Sequence, residues 1–97
     1  MFHQLRLLLV LGEELHFGRA AARLFISQSA LSQQIRDLEK RLGVRLFERG
    51  NKTMGLTAPG RVLLSDARTV VDALDQLRRT ADAQRRQLVS RDPVRVT

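Results

Sequence analysis

The fold follows from one stretch of the chain, ISQSALSQQIRDLEKRLG at residues 26–43. Its apolar side chains recur four, three and four residues apart, which is the spacing of one face of an α-helix. They are Leu31, Ile35, Leu38 and Leu42. Ser27 is a favourable N-cap before the run, and Gly43 is a favourable residue after it. The stretch therefore predicts a helix over residues 28–42.

The opposite face of this helix is polar near its N-terminus. Its side chains form hydrogen bonds and have few apolar atoms to bury. They are Gln28, Ser29, Ser32, Gln33 and Arg36. In a helix that enters the major groove of DNA, the N-terminal residues meet the base edges. The pattern predicts a DNA recognition helix whose other face lies in a core.

Composition agrees with a small DNA-binding domain. The chain has 97 residues, of which 43% are hydrophobic and 28% are charged, as in globular proteins. Its net charge of +7 favours a polyanionic partner, although a merely basic soluble protein has the same balance. The chain has no cysteine, which excludes disulfides, thiolate metal sites and cysteine nucleophiles.

Several other kinds of protein are disfavoured by the sequence. The apolar run at residues 7–11 is too short to span a membrane, and no signal-peptide cleavage site follows it. His16 has no second ligand at helical spacing, so a metal site is not expected. Glu13 and Glu14 are adjacent and point in different directions on a helix, so we interpret them as solvated surface. No nucleophile stands with a base and no Gly-rich phosphate loop occurs, which argues against an enzyme.

Two further helices are predicted before the recognition helix. Residues 2–15 form an apolar stripe that must be largely covered. Residues 17–24 contain RAAARL, a strong helix former that Gly18 can cap. A tight turn at residues 25–26 joins this helix to the next, which is the helix-turn-helix pattern at residues 17–36. Many helical hairpins share this pattern.

A β-hairpin is predicted after the recognition helix. Apolar residues alternate weakly from Val44, and Gly50-Asn51-Lys52-Thr53 is a turn cluster. Met54 and Leu56 suggest the returning strand. The hairpin is either a DNA-binding wing or a plain cover for the core.

Residues 60–90 predict one long helix. A heptad seam runs along it with alternating spacings of four and three. The seam comprises Leu63, Ala67, Val70, Leu74, Leu77, Ala81, Gln84 and Leu88. A helix of about 30 residues is roughly 45 Å long and outruns the preceding domain, so a second copy is the expected cover. The alternative is a helix packed only on its own domain.

The end of the long helix is predicted at Asp92-Pro93, because the residue before a proline is disfavoured in α geometry. The alternating residues Val94-Arg95-Val96 then predict the start of a strand.

These motifs resemble the LysR-type transcriptional regulators. The run FGRAAARLFISQSALSQQIRDLEKRLGVRLFER at residues 17–49 and LTAPG at residues 56–60 carry the resemblance. The matching residues include Ala21, Ala22, Leu24, Ser27, Gln28, Ala30, Leu31, Ser32, Ile35, Leu38, Glu39, Leu42, Gly43, Leu46, Phe47 and Arg49. The resemblance implies a mainly α fold. A winged helix-turn-helix of three helices and a short two-stranded wing would occupy residues 1–57, followed by a dimerisation helix at residues 58–90. Residues 91–97 would begin an effector-binding domain, which makes the chain a fragment of a longer regulator.

The resemblance also implies how such a dimer would bind a dyad-symmetric promoter site. Helix 28–42 would lie in the major groove and wing 47–56 at the minor groove or backbone. The expected base contacts are Gln28, Ser29, Ser32 and Gln33. The expected backbone contacts are Ser27, Arg36, Arg49 and Thr57, with Asn51 and Lys52 in the wing. Arg23, Lys40, Arg41 and Arg45 are interpreted as solvated charge.

Four positions depart from the family pattern. Ser29 stands where proline is frequent, and Gln33 stands where arginine is frequent. Arginine favours guanine, whereas glutamine favours adenine. Ala58-Pro59 reverses the usual order. Because Pro59 lacks an amide donor and disfavours α geometry at Ala58, the last helix is expected to begin a residue late.

The implied partners are double-stranded DNA and a second copy of the chain, in the cytoplasm of a bacterium. A tetrameric parent and contact with RNA polymerase are compatible with the resemblance. No cofactor is expected in this stretch, whereas the full-length parent would bind a small-molecule effector. The alternative function is a basic coiled-coil interaction module with only non-specific DNA affinity.

Overall fold

The computed structural model describes residues 1–49 and 54–96, and the side chains of residues 1–49 and 54–89. The elements are α1 (Phe2–Glu14), α2 (Phe17–Leu24), α3 (Gln28–Leu42), β1 (Phe47–Arg49), β2 (Met54–Leu56) and α4 (Ala58–Val96). The strands are antiparallel, with Phe47 opposite Leu56 and Arg49 opposite Met54. The predicted winged helix-turn-helix with a long final helix is confirmed. The predicted turn residues Asn51 and Lys52 lie outside the described residues.

The core is built on α1, which contacts α2, α3 and α4. The largest fully buried side chains come from α1, α3 and the segment that enters β1. They are Leu7, Leu8, Leu11, Leu31, Ile35, Leu38, Leu46 and Phe47. Burying each such side chain stabilises the fold by about 1.5–3 kcal/mol before the entropy cost. The apolar faces predicted for α1 and α3 are therefore covered by the chain's own helices.

The short helices end where the backbone turns left-handed. Leu15 (φ 50°) follows α1, which ends at Glu14 and one residue earlier than predicted. Phe25 (φ 57°) follows α2, where Phe25 and Ile26 donate their amides to carbonyls of the preceding turn. The predicted cap by Gly18 is wrong. His16 caps α2, because its Nδ1 accepts from the Arg19 amide at 3.0 Å, and glycine has no side-chain acceptor.

The first turn of α4 departs from the prediction. The helix begins at Ala58 and not a residue late. Thr57 Oγ1 accepts from the Gly60 amide at 2.9 Å and donates to the Arg45 carbonyl at 2.6 Å. Pro59 is tolerated because first-turn amides have no partner within a helix.

The last turns of α4 also differ from the sequence prediction. The helix has 39 residues and continues through Asp92-Pro93 to Val96, so the predicted end near Ser90 and the strand at Val94 are wrong. A three-residue strand needs a partner strand for its amides and carbonyls. The two described strands pair with each other, so helical hydrogen bonds are the available alternative.

The predicted seam of α4 divides into two parts. Leu63 and Ala67, assigned to a partner helix, instead pack on the chain's own core together with Leu64 and Val71. Farther along, Leu74 is half-buried, while the remaining apolar seam residues are exposed. These are Val70, Leu77, Ala81 and Leu88. The helix turns one face to its own domain and leaves the distal seam open to solvent.

Candidate nucleic-acid interface

The polar face of α3 is held outward by the burial of the opposite face. Leu31, Ile35 and Leu38 have no exposed surface, which fixes the rotation of the helix about its axis. All four residues predicted to contact bases consequently share one side. Gln28, Ser29 and Gln33 are exposed and Ser32 is half-buried.

Ser27 caps the N-terminus of this helix. Its Oγ accepts from the Ala30 amide at 3.0 Å and lies 3.4 Å from Ser29 Oγ. The first amides of a helix have no partner within it and carry the positive end of the dipole. The N-terminus of α3 can therefore accept an anionic oxygen such as that of a phosphate.

A chain of hydrogen bonds joins the middle of the polar face. Arg36 donates to Ser32 Oγ at 2.8 Å and to Gln33 Oε1 at 3.1 Å. Gln33 Nε2 in turn donates to Asp37 Oδ1 at 2.9 Å. Arg36, predicted as a backbone contact, is thus also tied to two predicted base contacts, and its guanidinium keeps other N–H groups free.

The first strand of the hairpin borders the N-terminal half of α3. A shallow groove of about 560 Å³ is lined by Phe17, Gln28, Ser29, Ser32 and Arg49. The Arg49 guanidinium lies 5.1 Å from the centre of the Phe17 ring, within cation–π range. The hairpin therefore places a positive charge beside the predicted base contacts.

A second groove of about 530 Å³ lies against the C-terminal half of α3. Its lining includes the cations Arg36, Lys40, Arg45 and Arg49. Lys40 is exposed, as expected for solvated charge, whereas the exposed Arg45 also forms an ion pair with Glu39, with Nε 4.0 Å from Oε2. Both cations border the same concave surface as two predicted backbone contacts. This surface is suited to a polyanion.

Glu39 is a positioning residue that sequence reasoning missed. Its side chain is only 10% exposed. Glu39 Oε2 accepts from the Leu46 amide at 2.8 Å and from the Phe47 amide at 3.4 Å, which links α3 to β1. A carboxylate near a helix C-terminus is disfavoured by the dipole. The sequence did carry a signal for this role. A glutamate in the last turn of a helix indicates that a specific partner offsets its unfavourable interaction with the dipole.

The adjacent carboxylates of α1 lie at the surface, as interpreted, but they share Arg23 as a partner. The interpretation of Arg23 as solvated charge is therefore wrong. Arg23 Nη1 contacts Glu13 at 3.1 Å and Glu14 at 3.0 Å, and Arg19 also contacts Glu14. The hydrogen bond from Arg23 holds the pKa of Glu14 below its ordinary value. These ion pairs join α1 to α2 and neutralise acidic charge on the surface of the two helices.

No group of side chains suited to a metal ion occurs within residues 1–49 and 54–89. Among the described helices, none is both long enough and apolar enough to cross a membrane.

Comparison with known proteins identifies the family. The profile of bacterial regulatory helix-turn-helix proteins of the LysR family matches residues 2–61. The chain belongs to the LysR family. A relative of this LysR-family chain is YnfL of Escherichia coli (strain K12), described as an uncharacterized HTH-type transcriptional regulator. The two are 52% identical over 71 residues, which is 73% of this chain and 24% of YnfL. The chain thus spans about a quarter of the length of such relatives.

Two solved DNA complexes share the fold of this LysR-family chain. The DNA-binding domain of BenM, in complex with benA site 1 DNA, has a TM-score of 0.81 at 32% identity, covering 86% of this chain and 93% of that one. The CbnR DNA-binding domain, also in complex with DNA, has a TM-score of 0.76 at 36% identity, covering 90% of this chain and 97% of that one.

Proposed function

We propose that this chain is the DNA-binding part of a transcription regulator and binds double-stranded DNA in a sequence-dependent manner. The observation that carries the proposal is the outward polar face of α3, which presents Gln28, Ser29, Ser32 and Gln33 together. Family membership and the likeness to two domains solved in complex with DNA support it.

The side chains divide into two roles in this proposal. The four residues on the polar face contact base edges in the major groove. Ser27, Arg36 and Arg49 contact phosphates, which position the domain without specifying sequence. Thr57 is left out of this set, because its hydroxyl donates to the Arg45 carbonyl and its amide donates to the Leu46 carbonyl. Asn51 and Lys52 belong to the wing at the minor groove or backbone. The cations Lys40 and Arg45 extend the phosphate-binding surface along the second groove.

Assembly and regulation are part of the proposal as well. The exposed distal seam of α4 supports a homodimer that binds a dyad-symmetric promoter site in a bacterial cytoplasm. A longer parent protein would add a domain for a small-molecule effector, assemble into dimers or tetramers, and contact RNA polymerase. This chain itself needs no cofactor and no membrane for binding DNA.

The test is a selection of bound sequences from a random DNA pool. The unmodified chain should enrich one sequence with two-fold symmetry. Gln33→Ala should lose preference at one base pair per half-site, since a bidentate contact discriminates by about 1–3 kcal/mol. Arg49→Ala should weaken binding to all sequences alike.

A salt titration separates specific binding from mere attraction of charge. Binding should weaken with a log–log slope of about −0.9 per neutralised phosphate. Gln33→Ala should keep this slope, and Arg49→Ala should reduce it by roughly one contact. Enrichment of no sequence by the unmodified chain would contradict the proposal and favour an interaction module with only non-specific DNA affinity.

A further inference from the structure

The Gln33 carboxamide is held between two charged side chains of its own helix. Its Oε1 accepts from Arg36 Nη2 at 3.1 Å, and its Nε2 donates to Asp37 Oδ1 at 2.9 Å. A guanidinium can only donate and a carboxylate can only accept. Reversing the amide would therefore place N–H groups against the guanidinium and oxygen against the carboxylate. The two charged neighbours allow a single orientation of the amide.

The network leaves Gln33 with a defined capacity for further bonds. A carboxamide has two N–H donors and two acceptor lone pairs, and the network uses one of each. One donor and one acceptor remain, in a fixed order along the exposed face. Adenine presents the complementary pair in the major groove, with N7 as acceptor and the N6 amino group as donor.

Ser32 is restricted by the same network. Its Oγ accepts from Arg36 Nη1 at 2.8 Å, so its hydroxyl proton remains free to donate. Arg36 thus connects two neighbouring residues of the polar face. The charged pair on α3 controls both which groups are free and the direction in which Gln33 presents them.

We propose that Arg36 and Asp37 are positioning residues for base recognition, and that they orient the Gln33 carboxamide to match an adenine edge on one strand. This inference rests on the proposed function, in which Gln33 contacts a base. Because the amide is ordered before DNA arrives, binding does not bear the cost of ordering it. A bare glutamine, free to rotate and to reverse, would discriminate less between adenine and the other bases.

The test is Asp37→Ala, assayed by selection from a random DNA pool and by affinities for the selected site and its single-base variants. The preference for adenine at the Gln33 position should fall about two- to tenfold, the range expected for ordering one flexible side chain. Preferences at the other positions should stay unchanged. Asp37→Glu, which keeps an acceptor-only group on the same turn, should retain the preference.

Asp66→Asn is the matched control, because it removes one exposed carboxylate from α4, which carries none of the proposed base contacts. Both variants remove a negative charge that repels phosphates, so both should bind all DNA sequences more tightly. Only Asp37→Ala should alter the base preference. In a Gln33→Ala background, Asp37→Ala should change nothing further at that position, a result that a merely structural role does not produce. If Gln33→Ala loses the adenine preference and Asp37→Ala keeps it, the positioning role is wrong while the proposed function stands. Unchanged preference in Gln33→Ala would overturn the inference as well as the base contact.

Discussion

Gly60 lies where the first turn of α4 crosses the backbone before β1. A Cβ atom added there would overlap the Leu46 carbonyl oxygen. That oxygen is held in place, because it also accepts from the Thr57 amide at 3.0 Å. Only glycine allows the helix to approach the backbone so closely, and this contact joins the start of α4 to the hairpin.

Gly60→Ala should therefore destabilise the fold although alanine is the better helix former by about 1 kcal/mol. We expect a loss of about 1–3 kcal/mol in the free energy of unfolding, typical of overpacking against atoms that cannot move. Urea denaturation measures it. Gly55→Ala is the control, since among residues 1–49 and 54–89 only the chain neighbours of Gly55 approach its added Cβ within 4 Å. Equal stability of the two variants would show that the contact at Gly60 relaxes freely.

At the scale of elements, one carboxylate links α3 to the hairpin. Glu39 bridges the last turn of α3 to the amides of Leu46 and Phe47. Phe47 is fully buried, and Arg49 lies two residues farther along the same strand. The carboxylate thus sets where the strand begins and, through it, where the Arg49 charge meets the recognition helix.

Glu39→Ala should cost about 1–3 kcal/mol, since it leaves these amides without their acceptor. Glu39→Gln should cost less, because its Oε1 can still accept a hydrogen bond. Thermal or urea unfolding reports the difference, and DNA binding should weaken in the same order. Lys40→Ala, an exposed neighbour, should change stability by no more than about 0.5 kcal/mol. A loss as large for Lys40→Ala would mean that truncating any side chain in this turn is destabilising, and that the bridge does not explain the result.

At the scale of the whole molecule, α4 carries the chain far beyond its folded domain. The molecule measures 68 × 25 × 19 Å, and the long dimension follows from a helix of 39 residues. Leu77 is 64% exposed and Leu88 is 53% exposed on the same seam. An apolar stripe of this length in water favours a partner helix.

Replacing Leu77 and Leu88 with glutamate should convert the proposed dimer into monomers in analytical ultracentrifugation, because charge in a helix–helix seam lacks a compensating partner. Val62→Glu is a matched control, since Val62 is also 64% exposed but lies off the seam. A double variant that still sediments as a dimer at micromolar concentration would show that another surface mediates assembly.

The ion pair between Arg6 and Asp75 connects the N-terminal helix α1 to α4. Arg6 Nη2 lies 2.7 Å from Asp75 Oδ1, and this hydrogen bond lowers the pKa of Asp75. A lowered pKa in the folded state means that the contribution to stability is complete above the unfolded value, about 3.9, and is lost as pH falls through the folded value. Both side chains are 37% exposed, so the effect is small.

Asp75→Asn should lower the urea midpoint at neutral pH, and its difference from the unmodified chain should close below about pH 4. Asp82→Asn is the control, because Asp82 pairs with Arg85 of the same helix and joins no two elements. A difference that persisted unchanged at about pH 3 would show that the loss does not come from the charge.

The helices α1, α2 and α3 were predictable because their signals are local. Periodic leucines, the Ser27 cap and the Gly43 end act within one or two turns of the chain, and the structure reproduces α3 residue for residue. The polar face of the recognition helix was predictable for the same reason, since burying one side of a helix exposes the other.

Only the tertiary structure decided which part of α4 is covered and what joins the elements. The periodicity of α4 is compatible with either neighbour, and packing against α1 assigned Ala67 and Val71 to the chain's own core. The bridge from Glu39 to β1, the close approach at Gly60 and the ordering of Gln33 depend on where atoms meet in space. Local patterns determine which residues form a helix, whereas competition among surfaces for burial and among polar groups for partners determines what each helix contacts.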